Sequence, residues 1–312
     1  MKKKSRTSRR NMRKILDSFT NNSRERFYEN LQPVAWICKI FGYFSLQNCY
    51  QRDGGKLKYK IFSLHTYYGA VFIIILILLL MSIDIDFIRI GIITFYATEG
   101  VTSIILNTYY DRHLPTLIQK IEEFEISMRH FKNIHKRIIN SNKNMRYLGL
   151  SGCAAYFTYP LLRFILSKDA PVHRVRVYII TILTRSRCFY LIFYIMFCYI
   201  IKQHFFNLKY IFKGTMTNIL QDQQNNIFCM KLVCEHEIEK YRLLHAKLLK
   251  ILEHFNVCYG PRMAFALLSI ILESLIDFYV VFFTSGKSTF PMIYSIFNAI
   301  SLYVITISAD SL

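Results

Sequence analysis

The sequence predicts an all-α, multi-pass transmembrane helical bundle with a cytoplasmic N-terminus, and three observations carry that reading. The chain of 312 residues is 53% hydrophobic although it holds 40 Lys+Arg against 20 Asp+Glu, a formal net charge of +20. Runs such as VFIIILILLLMSI (residues 71–83) are too long and too dense in aliphatic side chains for the surface elements of a water-soluble fold. The 26 Phe and 22 Tyr suit bundle interiors and membrane interfaces, where an amphipathic ring has an apolar body and a wet edge. The same apolar content excludes a disordered chain.

Apolar stretches of roughly 17–25 residues give six spans: residues 61–83, 87–109, 147–166, 177–201, 263–283 and 290–308. Their connections alternate in charge. Residues 1–60, 110–146 and 202–262 carry 15, 8 and 9 Lys/Arg, whereas the other three connections carry 0, 3 and 1. The positive-inside bias therefore puts the N-terminus in the cytosol. It also explains the net charge without nucleic acid, the partner a soluble chain this basic would suggest.

Residues 1–60 read as a cytoplasmic arm: a basic, polar stretch to residue 27, then LQPVAWICKIFGYFSL (residues 31–46), an interfacial or re-entrant helix interrupted by Pro33, Lys39 and Gly42 with Trp36 at headgroup level. Residues 61–312 form the bundle. It includes two cytoplasmic amphipathic helices, at about 114–140 and 236–256. Leu117, Ile121, Phe124, Met128, Phe131, Ile134 and Ile138 make the stripe of the first, and Ile238, Tyr241, Leu244, Leu248, Leu252 and Phe255 that of the second. The two can pack on each other below the membrane, either as extensions of the spans or as a partner-binding surface.

The basic start leads into polar residues, so no cleavable signal peptide is read, and the first span does the targeting. The eight Cys lie in spans or on the cytosolic side, where thiols stay reduced. Cys229, Cys234 and His236 lack a CxxC pair and a matching second half, so neither metal nor cofactor is expected. GxSxG, Walker A, HExxH and GxGxxG patterns are all missing, which argues against an enzyme.

Ionisable groups inside a span are costly and mark function. Glu99, Arg163, Arg185, Arg187, Glu273 and Asp277 are such groups here. With the topology above, carboxylates and guanidinium groups can pair across an outward-opening pocket. Tyr96, Tyr156, Tyr159, Tyr190, Tyr194, Tyr294 and Asn298 supply hydroxyls, an amide and apolar walls, and Pro160 is expected to kink the third span and widen the cavity. For each tyrosine the competing reading is helix packing.

Two receptor classes match local sequence. YYDRH (residues 109–113) resembles the acidic-Arg-aromatic motif of rhodopsin-like G-protein-coupled receptors, but that reading inverts the positive-inside count and lacks NPxxY and CWxP. LQPVAWICKIFGYFSL and RLLHAKLLKILEHFNVCYGPRMAFALLSIIL (residues 242–272) instead resemble the insect gustatory receptor family, of the odorant and gustatory receptor superfamily. The resemblance runs over about residues 28–308 in the order and spacing of spans. It implies a receptor subunit of the plasma membrane of sensory neurons, gated by a small-molecule tastant and surrounded by membrane lipid. Such subunits assemble as homo- or hetero-tetramers that conduct cations. Glu99, Tyr156, Arg163, Glu273, Asp277 and Asn298 then become pocket candidates by depth and chemistry. The family's pore-lining seventh helix opens with Thr-Tyr and closes with Gln-Phe, whereas this sequence runs from the sixth span to ISADSL. The expectation is six spans of seven, with truncation before the pore helix. A G-protein-coupled receptor and a non-conducting regulatory or remnant subunit stay open as alternatives.

Overall fold

The computed structural model describes residues 30–40, 46–47, 58–59, 87–129, 131, 134–166, 188–222 and 230–283, with isolated positions at 67, 71, 74, 75, 78, 178, 299, 300, 303, 306 and 307. Among them the architecture is helical apart from one two-residue ladder. Helix α1 covers residues 30–40; β1 (Leu46–Gln47) then pairs antiparallel with β2 (Lys58–Tyr59). Helix α2 (Phe87–Tyr110) leads through a 3-10 turn, Asp111–His113, into α3 (Leu114–Met128), with Pro115 in its first turn. Proline is tolerated there because the amide it lacks has no intrahelical acceptor. Three long helices follow: α4 (Ile134–Leu166), α5 (Cys188–Asp222) and α6 (Met230–Phe283).

The second, third and fifth expected spans fall within α2, α4 and α6, and the second half of the fourth, from Cys188, opens α5. Spans 61–83 and 290–308 lie outside the described residues except for isolated helical positions. Within α5 and α6, Leu191–Thr217 and Glu235–Ile276 are long and apolar enough to cross a membrane.

Three differences from the sequence reading concern length. The stripe expected on one helix over 114–140 is shared by two, because α3 stops at Met128. The Phe131 amide there donates to the Met128 carbonyl and the Ile134 amide to that of Phe131. RHFKN (residues 129–133) holds neither Gly nor Pro, so nothing local announced the break. Burial of the stripe survives it: Leu117, Ile121, Phe124, Met128, Ile134 and Ile138 are all interior. Helix α5 runs on to Asp222, well past the expected end at residue 201. In α6 the amphipathic segment and the fifth span are one 54-residue rod that continues through Pro261. At 1.5 Å per residue it is about 80 Å long, far more than the ~30 Å hydrocarbon layer.

Neighbouring long helices run antiparallel. Tyr156 of α4 lies against Phe189 of α5, with ring centroids 4.5 Å apart, and a Cβ built on Gly152 would sit 3.1 Å from Ile192. From α5 to α6, Tyr194 stacks on Phe255 at 5.3 Å, Phe205 meets His245 at 6.2 Å, and Phe212 meets Tyr241 edge-on at 5.3 Å. Gly149 is where α1, α4 and α5 converge: a Cβ there would lie 2.5 Å from the Met196 sulfur and 2.6 Å from a Val34 methyl. Only glycine allows that approach.

Helix α2 is arranged inside out. Its buried described side chains are Glu99, Ser103 and Asn107, while Ile105 and Tyr109 are exposed. Apolar side chains on α4 and α6 (Leu161, Leu162, Ile165, Leu268, Ile271, Leu272 and Leu275) also face outward. In water such faces would be unfavourable, but against lipid tails they are in their natural solvent.

Candidate functional site

The buried face of α2 is built by repetition: Glu99, Ser103, Asn107 and, in the following turn, Asp111 recur every four residues and so stack on one side of the helix. On α6, Arg262, Ser269 and Glu273 are also buried and, at i, i+7 and i+11, share one side of that helix, with Arg262 meeting Asn107 and Asp111. The result is a polar seam between two helices whose other surfaces are largely apolar.

An ion pair closes one end. Arg262 Nη2 donates to Asp111 Oδ1 at 2.8 Å and to the Asn107 carbonyl oxygen at 3.4 Å, with the two side chains 4% and 2% exposed. The Tyr259 and Tyr110 rings lie 5.5 and 5.9 Å from the guanidinium carbon, within cation–π range. The Tyr59 hydroxyl, brought in by β2, donates to the Thr108 carbonyl beside the pair. A buried pair contributes little net stability because both charges were desolvated to form it. Losing one partner alone is expensive, since a bare charge is left inside.

From this pair the helices run antiparallel, so distances along them can be compared. Glu99 is twelve residues from Asp111 and Glu273 eleven from Arg262, which puts the two carboxylates at similar height, about 16–18 Å along the seam. Between them and the pair, the Ser103 hydroxyl and the Asn107 carboxamide are buried without a hydrogen-bond partner among the described residues. Buried polar atoms of this kind suit a polar guest or internal hydration better than packing.

Of the residues singled out from sequence, Glu99 and Glu273 are both buried, on the sides of α2 and α6 that carry Asp111 and Arg262. Tyr156 and Tyr194 lie elsewhere, packed on aromatic rings at the α4–α5 and α5–α6 contacts. Tyr96, Tyr159, Arg163, Tyr190 and Asp277 occupy backbone positions on α2, α4, α4, α5 and α6. Tyr294, Asn298, Arg185 and Arg187 lie outside the described residues. Sequence reading missed Ser103, Asn107 and the Asp111–Arg262 pair, although E-x3-S-x3-N-x3-D was there to be read as a polar stripe. In YYDRH, Asp111 serves the ion pair, while the exposed Arg112 lies over the Tyr109 ring at 4.1 Å and donates to His113 Nε2 at 2.9 Å.

A second buried polar cluster joins α3, α4 and α5. His204 Nε2 and Glu125 Oε1 are 3.5 Å apart, with 0% and 1% side-chain exposure. Burial pushes the Glu125 carboxyl up to about 8, against the lowering effects of Arg129 and of the Asn142 hydrogen bond, and Glu122 adds to the rise. Burial alone holds His204 down to about 4. Near neutral pH both groups are uncharged, as a dry junction requires. Among the described residues no group of three or more His, Cys, Asp or Glu is placed to hold a metal ion.

A family model described as 7tm Chemosensory receptor matches residues 31–312. No curated protein matches the chain.

Proposed function

The chain belongs to the 7tm chemosensory receptor family, and from that premise we propose that it is a gustatory receptor subunit, a ligand-gated cation channel that responds to small tastants. In this reading it sits in the plasma membrane of sensory neurons with its N-terminus in the cytosol and assembles with identical or related subunits as a tetramer. The family is one of receptors, so the buried polar groups are read as recognition and coupling elements and not as catalysts.

The observation that carries the reading is the seam. Two carboxylates buried between membrane-embedded helices favour a guest that donates hydrogen bonds, such as a polyol or an amine. That guest would touch α2 and α6 together. Helix α6 continues without interruption into the proposed cytosolic half, so a ligand preferring one placement of α2 against α6 biases the whole rod. Moving such an equilibrium from mostly closed to mostly open takes about 5 kcal/mol of differential affinity.

The test is electrophysiological. The chain, expressed with candidate partner subunits, should give cation currents to a tastant with G-protein signalling blocked, and an N-terminal tag should be stained only after permeabilisation. Glu273→Gln should shift tastant potency at least severalfold at unchanged surface expression. A tag stained on intact cells, together with responses that need a G protein, would instead establish the G-protein-coupled alternative.

A further inference from the structure

On the Met230 side of the ion pair, α5 and α6 border a groove of about 630 Å³. Its α6 wall comes from Ile238, Tyr241, Arg242 and His245; Lys202, Phe206 and Lys209 mark the α5 side. Lys202, Phe206, Lys209 and Lys213 recur at i, i+4, i+7 and i+11, one stripe of α5. Asp222, the last residue of α5, is its only acid.

The groove's cations differ in how they are answered. Arg242 is held by Glu239 through two 2.7 Å hydrogen bonds, and the neighbouring Lys240 is 3.7 Å from Glu237. Among the described residues neither Lys202, Lys209 nor Lys213 is paired with a carboxylate; Lys202 merely overhangs the Phe206 ring at 5.9 Å. Uncompensated positive charge is thus concentrated on the α5 wall, beside apolar surface that would shield an anion from water.

Height narrows the class of anion. With the fourth span ending at residue 201 as read from sequence, inside the longer apolar stretch Leu191–Thr217, Lys202 is the first residue on the cytosolic side of its span, within the roughly 5–8 Å headgroup layer of the inner leaflet. Lys209 lies about 10 Å farther along the helix, beyond the reach of a lipid whose charge stays in that layer. A headgroup with phosphates on its outer rim spans both. We propose that this groove is a binding site for a phosphoinositide, an inner-leaflet lipid with a polyphosphorylated headgroup, with Lys202 and Lys209 as the phosphate contacts and Phe206 and Tyr241 as the apolar walls. Basic pockets between helices at the cytoplasmic face are a general form of lipid recognition.

The proposal rests on the topology given under Proposed function, so the experiment separates the two. The full chain is purified in detergent, where sidedness plays no part. Binding of a short-chain phosphatidylinositol bisphosphate is then compared with that of short-chain phosphatidylserine and of free inositol trisphosphate. Lys202→Gln/Lys209→Gln should weaken bisphosphate binding at least tenfold. Lys136→Gln/Lys143→Gln on α4, which removes the same charge elsewhere, should change it less than twofold, and phosphatidylserine should bind at least tenfold more weakly. Equal losses in the two double variants, or phosphatidylserine binding as tightly, would overturn the site. Inositol trisphosphate binding as tightly as the lipid would overturn its assignment to a membrane lipid. The tag-accessibility experiment tests the topology separately.

Discussion

Arg262→Gln puts the seam to its most direct test. The substitution keeps much of the side chain's length and hydrogen-bonding capacity while removing the charge that answers Asp111 at 2.8 Å. Asp111 is 1% exposed, so its carboxylate cannot turn to water without opening the contact between α2 and α6. Breaking a buried pair from one side costs about 3–5 kcal/mol, which for a chain of this size corresponds to a fall of about 5–8 °C in Tm. Cys38, Cys153, Cys198 and Cys258 are buried free thiols, so the unfolding of detergent-solubilised protein can be followed with a thiol-reactive fluorophore. Asp111→Asn should be damaging too, because it strands the guanidinium. The double variant Asp111→Asn/Arg262→Gln leaves no charge at the site of the pair and should recover about 2 kcal/mol or more relative to the sum of the single losses. A single variant within about 1 kcal/mol of the parent would refute the reasoning, as would strictly additive losses, since each means that water already answers one of the charges.

Three further outcomes follow from the packing and the charges. Between about pH 6.5 and 8 the folded chain keeps a proton on Glu125 that the unfolded chain, with an ordinary carboxyl at 4.5, has released, so stability should fall as pH rises, by about 1.4 kcal/mol per unit. Below about 6.5 the His204 contribution has the opposite sign, because the unfolded chain now binds the extra proton, and the two should cancel down to about pH 4.5. Glu125→Gln should remove the fall between 6.5 and 8, and its persistence in thermal unfolding would assign it to another group. Gly149→Ala should cost about 1–3 kcal/mol through overpacking against Met196 and Val34, whereas Gly214→Ala on α5, with nothing within 4 Å of its Cβ, should gain about 0.5–1 kcal/mol of helix stability; equal effects in the same thermal assay would contradict the three-helix contact.

What could be read from sequence, and what could not, has a physical basis. Helix α2 and the membrane half of α6 were legible because twenty or so apolar residues stand out from any polar background. The continuity of α6 was not: hydropathy divides a helix wherever its solvent changes, although the helix runs on through Pro261, which withholds one amide donor. The stripe from Leu117 to Ile138 was correct in its side chains and wrong about the backbone, because the break before Ile134 keeps every apolar residue on the interior and leaves the pattern undisturbed. Glu99 and Glu273 stood out in the sequence because a carboxylate is rare in a span. Ser103 and Asn107 were missed because single small polar residues are common there; their meaning lies in the four-residue step that links them to Asp111. Arg262 stood out even less, at a boundary where arginine is ordinary, and its importance depends on burial that only the packed helices reveal.

The length of α6 also makes it a lever. From Arg262 the rod extends 32 residues to Met230 and 21 to Phe283, arms of about 48 and 32 Å. A tilt of about 5° pivoting on the ion pair would displace the Phe283 end by roughly 3 Å and the Met230 end by roughly 4 Å, with no bending of the helix. A displacement no larger than an atom, applied beside Glu273 about 16 Å from the pivot, would thus arrive at the Met230 end enlarged about threefold. The buried charge pair is its fulcrum, and a fulcrum has to be the part that does not give way.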